Sequence, residues 1–256
     1  MPSARRRATI VDEMSLATPP TRTRRNLLEI ADLGAHELDA LLDLGAMMQR
    51  HPLAWRHSLE GRTIACVLHT PSLVAHTAMA AAIHRLGALP LMLTSDAVPE
   101  DDAQMLSSAC DGIIIHGARH RDVKDFAAHA TVPVVNAGSG EHAPCEALAH
   151  CLALRERFGS LDGLSVAYVG PADGLACSML QAAPIARFEL RLACPPGAMV
   201  DPWMLACAGR AGRIFDDPDE ATAGAHAVLR SAASALDRAP TTQALLHALI
   251  TGDWEV

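Results

Sequence analysis

Short apolar runs alternate with longer stretches of helical spacing along most of the chain. Residues 63–68, 89–93, 112–115 and 132–135 are compact apolar segments bounded by Gly, Pro or polar residues, the pattern of buried strands. Between and after them, 72–86 (closed by Gly87), 99–109, 121–129 and 145–158 carry helical periodicity. This alternation predicts a parallel sheet covered on both faces by helices. Ahead of it, 32–50 places Leu38, Leu41, Leu42, Ala46 and Met47 on one helical face, with Asp32 as the cap.

The stretch Gly159-Ser160-Leu161-Asp162-Gly163 interrupts this pattern, and a second series follows. Strands are predicted over 165–169, 189–193, 213–215 and 225–229, helices over 174–186 and 202–208, and a last helix over 241–250. The fold class is therefore α/β, with two lobes, each a parallel sheet flanked by helices, hinged near 155–163. Ligands of such sheets sit beyond the carboxyl ends of the strands, at the switch point and between lobes.

Composition narrows the partners. The chain has 256 residues, half of them apolar, and no apolar run long enough to span a bilayer, so no membrane partner is expected. The net charge is −8; residues 1–25 carry six arginines against Asp12 and Glu13, a local +4 that leaves −12 on the remainder. An acidic body argues against nucleic acid as a partner. The seven cysteines form no CxxC pair and read as reduced core thiols, which points to the cytoplasm.

Several ordered segments carry a resemblance. They are Leu-Glu-Gly-Arg-Thr-Ile-Ala-Cys-Val-Leu (59–68), Pro71-Ser72-Leu73 with the helix ending Leu86-Gly87-Ala88, and Asp111-Gly112-Ile113. Val132-Pro133-Val134-Val135-Asn136, Pro144-Cys145-Glu146-Ala147-Leu148-Ala149, Leu154-Arg155-Glu156-Arg157-Phe158-Gly159 and Leu164-Ser165-Val166-Ala167-Tyr168-Val169-Gly170 continue the series. Over about 26–230 the sequence resembles the aspartate/ornithine carbamoyltransferase family. Residues 1–25, arginine-rich and poor in apolar residues, read as a disordered basic arm; the resemblance implies a carbamoyl-phosphate-type lobe (26–158), a shortened amino-acid-type lobe (159–235), and a C-terminal segment (236–256) whose helix packs back on the first lobe. It also implies a homotrimer with shared active sites, an amino-acid-like small ligand, and no cofactor.

Transfer of a carbamoyl group needs a seat for a phosphate dianion, which arginines and a helix N-terminus supply. The family's Ser-x-Arg-Thr-Arg reads here Ser72-Leu73-Val74-Ala75-His76, the arginine after the third strand aligns with His116, and His-Pro-x-Gln reads Ala143-Pro144-Cys145-Glu146, with His142 one place early. Candidate catalytic residues are therefore His116, His142 and Glu146, and candidate ligand contacts are Ser72, His76, His116, His142 and Asp173. Ser72 reads first as a plain helix cap, with an anion contact as its functional reading. A metal reading would gather His69, His76, His116 and His142, though their spacing matches no metal signature. Cys145 with His142 is a nucleophile–base alternative. His84, His150 and His247 are expected on helix surfaces or subunit contacts. Gly170-Pro171-Ala172-Asp173-Gly174 lacks nucleotide-loop spacing and reads as the interlobe turn.

The family's His-Cys-Leu-Pro loop has no counterpart after Leu229. The expected function is that of a divergent family member without carbamoyl transfer, structural, regulatory or binding an altered ligand, with an active carbamoyltransferase as a candidate partner. The alternatives are an active carbamoyltransferase-like enzyme of changed amine specificity and a metal-dependent hydrolase or lyase.

Overall fold

The computed structural model describes residues 25–97, 99–198, 200–230 and 239–251. The basic arm, Arg25 apart, lies outside the described residues.

Two four-stranded sheets, all parallel, form two α/β lobes. The first lobe runs α1 (Ala35–Arg50), β1 (Thr63–Leu68), α2 (Leu73–Arg85), β2 (Leu89–Thr94), α3 (Glu100–Ala109), β3 (Gly112–His116), α4 (His120–His129), β4 (Val134–Asn136) and α5 (Pro144–Phe158), with sheet order β2-β1-β3-β4. The second runs β5 (Ser165–Val169), α6 (Gly174–Ala186), β6 (Glu189–Ala193), α7 (Pro202–Ala208), β7 (Gly212–Phe215), α8 (Pro218–Thr222) and β8 (Ala227–Arg230), ordered β7-β6-β5-β8. The final helix, α9 (Ala239–Thr251), packs against α1 and α2 of the first lobe.

Strand composition follows position. Central β1, β3 and β5 are buried on both faces, as continuous apolar runs in parallel sheets must be. Edge strands β2 and β8 alternate between exposed and covered positions, and Pro90 sits in β2, where a missing donor at an edge is tolerated. One core cluster runs continuously from α1, α2 and α9 through α5 to α6 and the second sheet; a separate one lies under α3 and α4.

The element ends differ from expectation in places. Gly34, not Asp32, caps α1; Asp32 instead accepts hydrogen bonds from the Leu28 and Glu29 amides (2.7 and 3.1 Å), closing a 3-10 turn over Ile30–Asp32. The fourth strand is displaced toward Asn136, because Leu27 pairs with Val135 and the Leu27 carbonyl accepts from the Asn136 amide. Helix α8 is short and capped by Asp217, too brief for periodicity to signal. His247 is buried against the Trp55 ring (centroids 5.0 Å apart) rather than on a helix surface. Among the described residues, no helix is long and apolar enough to cross a membrane.

Candidate functional site

The sheet orders place switch points between β1 and β3 and between β5 and β8, where successive connections leave on opposite sides. A cavity of about 400 Å³ opens there between the lobes. Its first-lobe walls are Thr70 after β1, His116 and Gly117 at the end of β3, the turn Ala137–Gly140, and Ala143 and Glu146 at the start of α5. Asp173, Gly174 and Leu175, after β5, supply the opposite wall.

The lobes meet closely at this point. The Ala143 amide donates to the Gly174 carbonyl (3.1 Å) and the Ser178 hydroxyl (2.9 Å). A Cβ built on Gly174 would lie 3.0 Å from the His142 backbone nitrogen and the Ser139 carbonyl oxygen, so a side chain there would press on the facing backbone. Asn136, fully buried, organises the turn beneath: its side-chain amide donates to the Leu28 carbonyl (2.8 Å) and its carbonyl accepts from the Gly138 amide (3.0 Å).

The residues singled out in the sequence fall in different places. His116 and Glu146 line the cavity, and so does Asp173. Asp173 is also the N-cap of α6: its Oδ1 accepts from the Leu175 and Ala176 amides (3.1 Å each) and from the Tyr168 hydroxyl (2.8 Å). Ser72 caps α2 through the Ala75 amide (3.2 Å). His76 is exposed on α2, outside the cavity lining, and His69 borders a neighbouring depression with Asp96 and Arg119. Cys145 is buried and turns its thiol toward the Asn136 carbonyl (3.4 Å). Thus His69, His76, His116 and His142 do not converge.

His142 points instead into a buried group that the sequence did not mark. Among the described residues, one nitrogen of His142, one of His120 and a carboxylate oxygen of Glu29 lie within 4.8 Å of one another. The two rings are 4.2 Å apart, and His142 Nε2 is 3.9 Å from Glu29 Oε2. Lys124 Nζ (3.0 Å) and Gln181 Nε2 (2.7 Å) hold the Glu29 carboxylate. Burial pushes the Glu29 carboxyl up, but these two donors outweigh it and hold the group below its ordinary range. Burial pushes both imidazoles down, helped at His142 by the neighbouring His120. His120 Nε2 and His142 Nδ1 are buried and have no hydrogen-bond partner among the described residues. A buried polar atom in that state costs about 1–3 kcal/mol. Gln181 lies 152 residues from Glu29, and Lys124 lies 95 away, separations that no local periodicity reports.

Comparison with known proteins fits this architecture. Residues 25–156 match the family model described as aspartate/ornithine carbamoyltransferase, carbamoyl-P binding domain. An ornithine carbamoyltransferase of Thermus thermophilus is 38% identical over 212 residues, covering 80% of this chain and 69% of the relative. One from Acidothermus cellulolyticus is 36% identical over 217 residues, covering 78% and 69%. Among solved structures, the ornithine carbamoyltransferase of T. thermophilus superposes with a TM-score of 0.82 at 30% identity, covering 88% of this chain and 99% of that one. That of Burkholderia thailandensis gives 0.83 at 25%, covering 89% and 99%. On these grounds the chain belongs to the aspartate/ornithine carbamoyltransferase family.

Proposed function

We propose that this protein is a family member without carbamoyl-phosphate transfer, whose interlobe cavity takes a small neutral or cationic, amino-acid-like ligand. One observation carries the reading. Among the described residues, the cavity lining holds the carboxylates of Glu146 and Asp173 and the imidazole of His116, and no arginine or lysine.

Transfer would require the amine to attack the carbamoyl carbon, the bond to the phosphate oxygen to break, and phosphate to leave with its charge stabilised. Preset cationic donors supply that stabilisation. Each charge-assisted hydrogen bond contributes roughly 1.5–3 kcal/mol. Three missing arginines therefore remove on the order of 5 kcal/mol, a factor of thousands in binding. Glu146 adds repulsion toward a dianion, whereas the same two carboxylates attract an ammonium group. His116 puts an imidazole where a guanidinium would offer its fork of donors.

A homotrimer, and a structural or regulatory pairing with an active carbamoyltransferase, belong to the same reading. Co-purification of such an enzyme from the native cell supports the pairing; repeated isolation of the protein alone counts against it.

The test is turnover. Purified protein, given carbamoyl phosphate with ornithine, aspartate or putrescine, is expected to yield no carbamoylated amine. Measurable product at ordinary enzyme concentration overturns the proposal and favours an enzyme of changed amine specificity.

A further inference from the structure

The Glu29, His120 and His142 cluster lies one residue layer behind the interlobe cavity, and the proposed function makes no use of it. Three elements far apart in sequence bring it together. Glu29 comes from the segment that runs beside β4, His120 opens α4, and His142 ends the turn before α5. Ser139 separates the cluster from the cavity: it lines the cavity, and its hydroxyl lies 3.4 Å from His120 Nδ1.

We propose that Glu29, His120 and His142 form a binding site for a divalent transition metal of the zinc class. Two imidazoles and a carboxylate are a donor set suited to zinc, with one coordination position left for water. His120 is 8% exposed and His142 4%, so both are more than nine-tenths buried. His120 keeps its Nε2 without a partner among the described residues, as an unfilled ligand would, while His142 turns Nε2 toward Glu29 and keeps its Nδ1 unpartnered. Tetrahedral zinc at ~2.1 Å from its ligands places them ~3.4 Å apart. The Glu29–His142 pair at 3.9 Å is near that already, and the whole triangle, within 4.8 Å, must draw in by up to about 1.4 Å. Gln181 orients the carboxylate from α6, the outer support that metal carboxylates require. Glu141, whose carboxylate accepts from the His120 amide (2.9 Å), adds negative potential beside the site.

Lys124 opposes the ion. Its ammonium sits 3.0 Å from Glu29 Oε1 and repels a second cation. The side chain is 51% exposed, so it can swing into solvent as the metal enters. The bound metal would fasten the Glu29 segment, α4 and the turn before α5 into one rigid wall of the cavity. That effect does not depend on what the cavity binds, and the proposal and the loss of transfer stand or fall separately.

The test is titration of the chelator-stripped full chain with Zn²⁺ and with Co²⁺. The expected result is one equivalent per chain, a tetrahedral cobalt spectrum without thiolate charge-transfer bands, and a melting temperature raised by metal. His120→Gln and His142→Gln should each weaken binding about tenfold or more, and so should Gln181→Leu. Lys124→Met should tighten it, a change of sign that a purely structural role for these residues does not produce. Glu29→Gln keeps the size of the side chain and serves if the histidine variants do not fold; its affinity should also fall about tenfold or more. No uptake by the parent chain overturns the proposal, as does uptake unchanged in Glu29→Gln or cobalt bands typical of cysteine ligation.

Discussion

A buried imidazole resists protonation, and that resistance makes stability depend on pH. His120 and His142 are both pushed below their ordinary value of 6.5, chiefly by burial. The unfolded chain therefore takes up protons before the folded one as the solution is acidified. Stability is fully present above the unfolded value and is lost as pH falls through the depressed folded values. Glu29, held low by Lys124 and Gln181 against the pull of burial, acts in the same direction at still lower pH. Chelator-treated protein should show a urea midpoint that drops between pH 7.5 and 5.5, and a His120→Gln/His142→Gln double variant should drop less. Equal slopes in parent and variant would remove the histidines from the account. At this scale some chemistry was legible in the sequence and some was not. Ser72 before an apolar helix announced a cap, and it is one. Asp173 also caps a helix while it faces the cavity. Glu29 gave no local signal, because its partners come from α4, the turn before α5 and α6.

The strands and most of the helices were readable because buried parallel strands are nearly unbroken apolar runs and the helices between them keep their period. Their ends were less so: β4 is set by pairing with Leu27, a contact from outside its own segment. Helix α9 illustrates what an element contributes once docked. Ala244, Leu246, Ala248, Leu249 and Ile250 are buried against the first lobe, and Ile250 reaches Gly112 at the start of β3, where an added Cβ would lie 3.1 Å away. Leu246→Ala should cost roughly 2–5 kcal/mol, the range for emptying a packed leucine site. Leu73→Ala, at a position 82% exposed on α2, should stay within about 0.5 kcal/mol. Denaturant midpoints distinguish the two. A Leu246 variant as stable as the parent would mean that α9 is only loosely attached.

For the molecule as a whole, the contact between lobes includes a close backbone approach at Gly174. Gly174→Ala would by itself favour the helix by up to about 1 kcal/mol. The added Cβ meets backbone atoms of Ser139 and His142, which cannot rotate away, and overpacking of this kind costs about 1–3 kcal/mol. The variant should therefore be less stable than the parent by urea unfolding. Gly140→Ala, with nothing within 4 Å of its Cβ in the same cavity wall, should be neutral. A stabilised Gly174 variant would show that the lobes stand further apart than described. Neither this approach nor the buried cluster behind it has a periodic signature, since both arise only when the sheets face each other.

The second sheet is spliced into the first lobe between α5 and α9. Chains fold largely as they are made, leading segments first. During translation, then, the leading lobe must wait, its α1 and α2 faces bare, while the whole trailing sheet is synthesised. The lid over those faces leaves the ribosome only after that whole sheet, so a nascent chain stalled before it would present to chaperones the very surface that the finished molecule hides.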